Sequence, residues 1–408
     1  MATIVKRIAY SPIRSFLPGA RYHNVRVGVL SSVLSKQTSK HYIFRHSLCT
    51  SSGVSTDPTP KVQSTTKKRD YNVGVLGAGR IASSVHIRNI LKNRRLNLKW
   101  ILDDSPAAVS SCKDLLNLHN TPFYTSDDRE SLLSDESLDA VFVFTPTDTH
   151  ADYICESLSR GKAVMTEKPC GETYADIKRC YDMAERVNKP LLTGFQRRFD
   201  RTFRDVFQST RDKALGDLKF MRVTGRDSPR PSYEFLRNTD MGGCNIISDM
   251  AVHDIDMTVW LTSAERPISV YTMSHMHDPI MKEIGQPDSA TLALKYGSGL
   301  MAIIDSDRYA PYGYDMRVEI FGAEGMALAE NPRESASVID VQNGGKLNRL
   351  YDSFPQRFEA AFEKEIDHFV DCLDGKDTPL IKKAECLLTM EIVEKGVESF
   401  KTGNVAYL

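Results

Sequence analysis

Among the eight cysteines of this 408-residue chain there is no CxxC pair. That absence excludes a disulfide framework and a thiolate zinc site of ordinary spacing. No stretch reaches the ~18 consecutive apolar residues of a membrane span. Acids are missing from the amino terminus: no Asp or Glu precedes Asp57, while residues 1–69 hold twelve Lys or Arg. The rest of the chain carries a net charge of −11 and no basic stripe, which argues against nucleic acid as a partner. What is present is 41% hydrophobic and 26% charged residues, enough for a sizeable core in two or three domains.

The basic, acid-free segment is rich in Ser and Thr, with Lys and Arg recurring among apolar residues. That is the composition of a mitochondrial or plastid transit peptide, with mitochondrial the expected destination, followed by a polar linker with Pro58 and Pro60. A retained basic tail, in a cytoplasmic protein, is the plain alternative. Residues 1–69 are therefore expected to be transit peptide and linker.

From residue 71 apolar strands alternate with amphipathic helices. Strands are expected at 73–76, 98–102, 139–144, 163–165 and 190–194, with helices at 81–91, 107–118, 127–133, 151–159 and 173–187. This alternation gives α/β architecture, a doubly wound parallel sheet over residues 70–194. After about residue 195 the pattern changes. Strands at 268–276, 289–296, 300–305 and 315–321 follow in a run, and helices at 356–373 and 382–400 close the chain. Residues 195–408 are expected to be an α+β domain with an open, mostly antiparallel sheet.

Gly77-Ala78-Gly79-Arg80-Ile81-Ala82 is a GxGxxA turn between a strand and a helix. There the glycines let a backbone approach a pyrophosphate. Asp103 and Asp104 end the second strand, where an acid binds the ribose hydroxyls of NAD and repels the extra phosphate of NADP. Asp104 is the expected contact; Arg80 is the one residue that favours a phosphate. A glycine turn with solvated aspartates is the alternative.

Two signals lie at carboxyl ends of strands, where open parallel sheets bind ligands: Thr145-Pro146-Thr147 with His150, and Glu167-Lys168-Pro169. A third, Asp249-Met250-Ala251-Val252-His253-Asp254-Ile255-Asp256, sits in an expected helix over 244–261. Asp249 and His253 are four apart, so on an α-helix they share a face. A carboxylate there would orient and charge an imidazole; a structural salt bridge is the alternative. Cys170, beside Lys168-Pro169, is expected to be a buried small residue and not a nucleophile.

With these motifs in order, the chain from about residue 70 resembles the Gfo/Idh/MocA oxidoreductases. The resemblance rests on GAGRIA at 77–82, TPTDTH at 145–150, EKP at 167–169 and GFQRRFD at 194–200. It continues through GG with DMAVHDID at 242–256 and YGYDMRVEIFGAEG at 312–325, and it looks most like the inositol 2-dehydrogenase branch. It implies transfer of hydride between a secondary alcohol of a cyclitol or sugar and NAD, with myo-inositol the first choice and no metal. Lys168, Asp249 and His253 would form the catalytic group: His253 as base, Asp249 orienting it, Lys168 on the reacting oxygen. Gly77, Gly79, Arg80, Ile81, Asp104, Thr145, Pro146, His150, Glu167 and Lys168 would hold the cofactor. Arg198, Asp240, Tyr312 and Tyr314 are candidate substrate contacts by position; Arg198 and the tyrosines are alternatively packing and salt-bridge residues of the hinge. A cis Lys168–Pro169 bond and a homodimer or homotetramer are implied too. A dehydrogenase for another polyol, sugar or dihydrodiol, or a non-catalytic dinucleotide sensor, are the rival readings.

Overall fold

The first strand forms because Tyr71–Leu76 is a near-continuous apolar run, and such runs belong at the centre of a parallel sheet with both faces covered. The computed structural model describes residues 70–238, 246–341 and 344–408. The expected transit peptide and Asp240 lie outside them.

Six strands build the first sheet: β1 (Tyr71–Leu76), β2 (Leu96–Leu102), β3 (Phe123–Tyr124), β4 (Ala140–Val143), β5 (Ala163–Glu167) and β6 (Leu191–Gly194). Their order is β3-β2-β1-β4-β5-β6, all parallel. The order reverses beside β1, so a crevice opens at the carboxyl ends of β1 and β4. Gly77 sits at that point with φ +97; a Cβ there would lie 2.5 Å from the Phe144 carbonyl oxygen. The expected first helix is in fact two pieces, a π-helical turn Ala82–His86 and an α-helix Ile87–Lys92.

The second sheet contains β7 (Leu218–Arg226), β8 (Pro267–His275), β9 (Ser289–Tyr296), β10 (Met301–Asp307), β11 (Asp315–Gly322) and β12 (Met326–Ala329). Val338–Val341 and Gly344–Leu347, β13 and β14, make a separate hairpin, and β15 (Ala406–Tyr407) joins the second sheet. Its order is β12-β11-β7-β10-β9-β8-β15, and only the β7–β10 pair is parallel. The mostly antiparallel expectation holds. Strands such as β9 and β10 alternate, burying one face and leaving the other half-exposed.

The helix expected over 244–261 is described from Ile246: a π-helical turn, Ile246–Ala251, precedes the α-helix Val252–Leu261. This helix and Lys383–Thr402 cover the inner face of the second sheet. Glu359–Leu373 packs on the turn Gln196–Phe199 and reaches the first sheet's helices, where Lys92 meets Glu363 at 2.7 Å. Arg95 and Tyr71 close the same side by donating to Asp374 at 2.6 and 2.9 Å. No described helix is long and apolar enough to cross a membrane.

Candidate active site

The crevice beyond the strand ends contains a cavity of about 240 Å³. Arg80, Ile81, Thr145, Thr147 and His150 line one side, with Glu167 and Lys168 at the end of β5. Asp249, Met250 and His253 come from the π-turn and the helix after it, and Gln196, Arg197, Asp227, Arg308 and Tyr314 complete the wall. A more open depression of about 580 Å³ lies at the opposite end of the first sheet, by Asp139 and Lys189. It holds none of these groups, and ligand sites of open parallel sheets lie at the other edge.

A Cβ on Gly79 would meet nothing within 4 Å, so this turn presents open backbone to a ligand. Asp103 accepts from the Ala78 N–H at 2.7 Å and so lies against the glycine turn. Asp104 is exposed and accepts from the Ser126 N–H at 2.7 Å. Asp104 therefore points away from the glycine turn: successive side chains at a strand end point opposite ways, and Asp103 is the one aimed at the turn. The glycine turn, its acid and the lined crevice fit a dinucleotide. Pro146 starts the helix Thr147–Ser159 and does not line the cavity. His150 borders the cavity, but its ring nitrogens lie 2.8 Å from the carbonyl oxygens of Pro169 and Thr145. It ties the two ligand-facing loops together. The Lys168–Pro169 bond is cis. Cys170 is buried, and burial pushes its thiol up to about 12.

Lys168 Nζ donates to the Asp249 carbonyl at 2.6 Å and to its Oδ1 at 3.1 Å. Arg308 donates to Asp249 Oδ2 at 3.2 Å. Burial works against the Asp249 charge, but Lys168 and Arg308 hold its carboxyl down at about 2. Asp249 is therefore the partner of Lys168 and Arg308; no hydrogen bond joins it to His253 among the described residues. This corrects the Asp249–His253 dyad. The physical reason is the π-turn: bonds from i to i+5 widen the helix locally, and a four-residue spacing no longer stacks two side chains on one face. The buried Nδ1 of His253 has no partner among the described residues. Burial, then the charges of Lys168 and Arg197, keep this imidazole well below its usual range, so it is neutral at pH 7.

Arg198 is not a substrate contact but takes the packing and salt-bridge alternative. It is 0% exposed, gripping Asp256 through two bonds of 2.9 and 2.7 Å and Glu385 at 2.7 Å, and it never reaches the cavity. Tyr312 is 51% exposed and donates to Asp315 at 2.7 Å, away from the site. Tyr314 does line the cavity.

Sequence reasoning missed three charged residues. Arg197 points into the site wall and holds Asp254, whose carboxylate occupies the space a Cβ on Gly225 would need, 2.4 Å away. Asp227, just past β7, is pushed up to about 6 by burial, with Arg308 opposing at 3.8 Å. Arg308, just past β10, bridges Asp227 and Asp249. The available signal was position: both follow a strand end, as Lys168 does. Among the described residues no cluster of three His, Cys, Asp or Glu could hold a metal ion.

Residues 71–195 match the family described as "Oxidoreductase family, NAD-binding Rossmann fold", and residues 203–328 match the "GFO/IDH/MocA C-terminal domain". An inositol 2-dehydrogenase of Rhizobium meliloti is 33% identical over 74% of this chain and 88% of its own length. A myo-inositol 2-dehydrogenase of Thermotoga maritima is 29% identical over 76% and 90%. The crystal structure of a scyllo-inositol dehydrogenase from Lactobacillus casei, with NAD(H) and scyllo-inositol bound, superposes with a TM-score of 0.75 over 83% of this chain and 99% of that one. At 24% identity that likeness speaks to the fold.

Proposed function

The chain belongs to the Gfo/Idh/MocA oxidoreductases and is an NAD-dependent enzyme acting on CH–OH groups; we propose that the group it oxidises is a ring secondary alcohol of a cyclitol, with myo-inositol the first choice. The observation that carries the reading is the pairing of a committed lysine with an uncommitted histidine on one cavity wall. Lys168 has three N–H donors and spends two on Asp249, which leaves one for the reacting oxygen. His253 is neutral and, among the described residues, without a carboxylate partner, so it can accept the hydroxyl proton. Asp249 acts on Lys168: it keeps the ammonium aimed at the oxygen on which negative charge develops. Asp227 and Arg197 supply an acceptor and a donor for the hydroxyls that do not react. When bound, NAD accepts the pair of electrons that leaves the substrate carbon with its hydrogen. Asp103 at the glycine turn favours NAD over NADP.

The test is NADH formation across a panel of cyclitols, sugars and dihydrodiols. Turnover with myo-inositol at a kcat/KM at least about tenfold above the others is expected. Turnover confined to another polyol would move the substrate and leave the chemistry. NAD binding with no turnover on any of them would make the chain a sensor.

The outward face of the second sheet carries half-exposed apolar residues, Tyr271, Met273, Met301, Phe321, Met326 and Leu328. An apolar face of that extent supports a homodimer or homotetramer, which sedimentation will measure. The composition of residues 1–69 supports mitochondrial import with cleavage between about residues 45 and 70. Amino-terminal sequencing of protein from its native tissue decides that.

A further inference from the structure

His86 touches none of the space described above, yet its surroundings are those of a functional group. It closes the π-turn Ala82–His86, and its imidazole is 0% exposed. Phe144 stacks on one face at 4.2 Å, and Phe362 meets its edge at 5.3 Å. Its Nε2 lies 2.6 Å from Glu167 Oε1, while the buried Nδ1 has no partner among the described residues. Glu167 borders the cavity, and its other oxygen, Oε2, accepts from the backbone N–H of Lys168 at 3.1 Å.

The direction of the bond follows from charge. Burial favours a protonated Glu167, but the hydrogen bond and charge of His86, with the Lys168 charge, outweigh it and keep the carboxyl low. A carboxylate only accepts, so Nε2 carries the hydrogen. The neighbouring Glu365 has both oxygens buried without partners and is pushed well up by burial and by Glu167. Burial and the neighbouring charge thus work against ionisation of Glu365, while His86 and Lys168 favour it at Glu167.

Resting on the reaction proposed above, we infer that His86 is a positioning residue. By donating to Glu167 it fixes the carboxylate that holds the Lys168 backbone, and through it the reach of the Lys168 ammonium to the reacting oxygen. The chain of contacts runs from His86 to Glu167, to the Lys168 amide, and from Lys168 Nζ to Asp249. Both ends of it sit on π-turns, the irregular helices that recur at functional sites.

His86→Phe keeps the stack on Phe144 and removes the donor. It is expected to lose kcat by about 10- to 100-fold, the usual cost of a misplaced group, with the Kd for NAD moved less than about threefold. His86→Gln restores a donor and should recover most of the rate. In the apoprotein, the imidazole proton shared with Glu167 should appear far downfield in the proton spectrum and vanish in His86→Phe. If His86→Phe does not fold, the wild-type resonance and His86→Gln carry the test. A kcat for His86→Phe within about twofold of wild type overturns the inference. So does a folded wild type without the downfield proton, or a His86→Gln as slow as Lys168→Ala. Lys168→Ala separates the two proposals. If it is inactive while His86→Phe is active, only the positioning role falls. If Lys168→Ala is itself fully active, the reaction reading falls and the positioning role with it.

Discussion

Two clusters of charge flank the turn Gln196–Phe199, and they are built in opposite ways. Behind it, Arg198 meets both oxygens of Asp256 and one of Glu385, and all three side chains are fully or largely buried. In front of it, Lys168, Asp249, Arg308 and Asp227 form a ladder along the cavity wall, and His253 stands beside them. The rear cluster shares one guanidinium between two carboxylates, and each of its charged groups has a hydrogen-bonded opposite. Among the described residues the front cluster leaves a third lysine donor unspent and an imidazole nitrogen without a partner, and its Asp227 carboxyl is raised to about 6. A satisfied buried pair sets position, whereas groups left short of partners beside a cavity mark chemistry.

The sharpest way to break that contrast is His253→Ala. The expected loss in kcat is about 10²–10⁴-fold, the worth of a positioned base, with NAD affinity nearly unchanged. Steady-state NADH production on the best polyol measures it, and near-wild-type kcat would move His253 into the structural cluster. Next is Arg198→Met, which strands Asp256 and Glu385. A loss on the order of 3–5 kcal/mol in urea unfolding is expected, while kcat of the folded fraction stays within about threefold. A large kcat loss with unchanged stability would place Arg198 at the front.

Asp227 tests both sides of the comparison at once. Its carboxyl, raised to about 6, binds a proton in the folded protein before it does in the unfolded chain. Its contribution to stability therefore improves as pH falls through about 6 and is unfavourable above it. Asp227→Asn should add on the order of 2 kcal/mol at pH 8, less at pH 5, and should raise KM for the polyol. The acid limb near pH 6 in wild-type kcat/KM should shift in this variant, because His253 itself titrates well below 6.5. A stability gain equal at both pH values would remove the titration from Asp227. The smallest effect expected is at the ribose end: Asp103→Ser should narrow the preference for NAD over NADP by about tenfold, and Asp104→Ser should not. Equal effects of the two would show that the glycine-turn contact of Asp103 is not what selects the cofactor.

Much of the fold was legible from patterning. Apolar runs such as Ala140–Val143 and alternating runs such as Ser289–Tyr296 carry their own period, and glycine at position 77 marks a turn that no other residue fits. The short helices Tyr233–Asn238 and Pro279–Ile284 were not, since a six-residue helix has too few turns to show a period. Lys168, Asp249 and His253 were legible as site residues because motif spacing survives in the chain.

Their partners were not. The sequence by itself determined that two sheets form and that the crevice follows the strand ends, because hydrophobic period and turn chemistry are local properties. Only the tertiary structure decided that Asp249 turns to Lys168 and Arg308, that Asp103 and not Asp104 meets the glycine turn, and that Arg198 is walled in while Arg197 lines the cavity. Adjacent residues such as Arg197 and Arg198 have the same chemistry. What separates them is a rotation of one residue about the backbone and the partners that distant segments bring to each side. Neither is written in local spacing: a π-turn shifts the face, and residues 57 to 187 positions away supply the opposing charge.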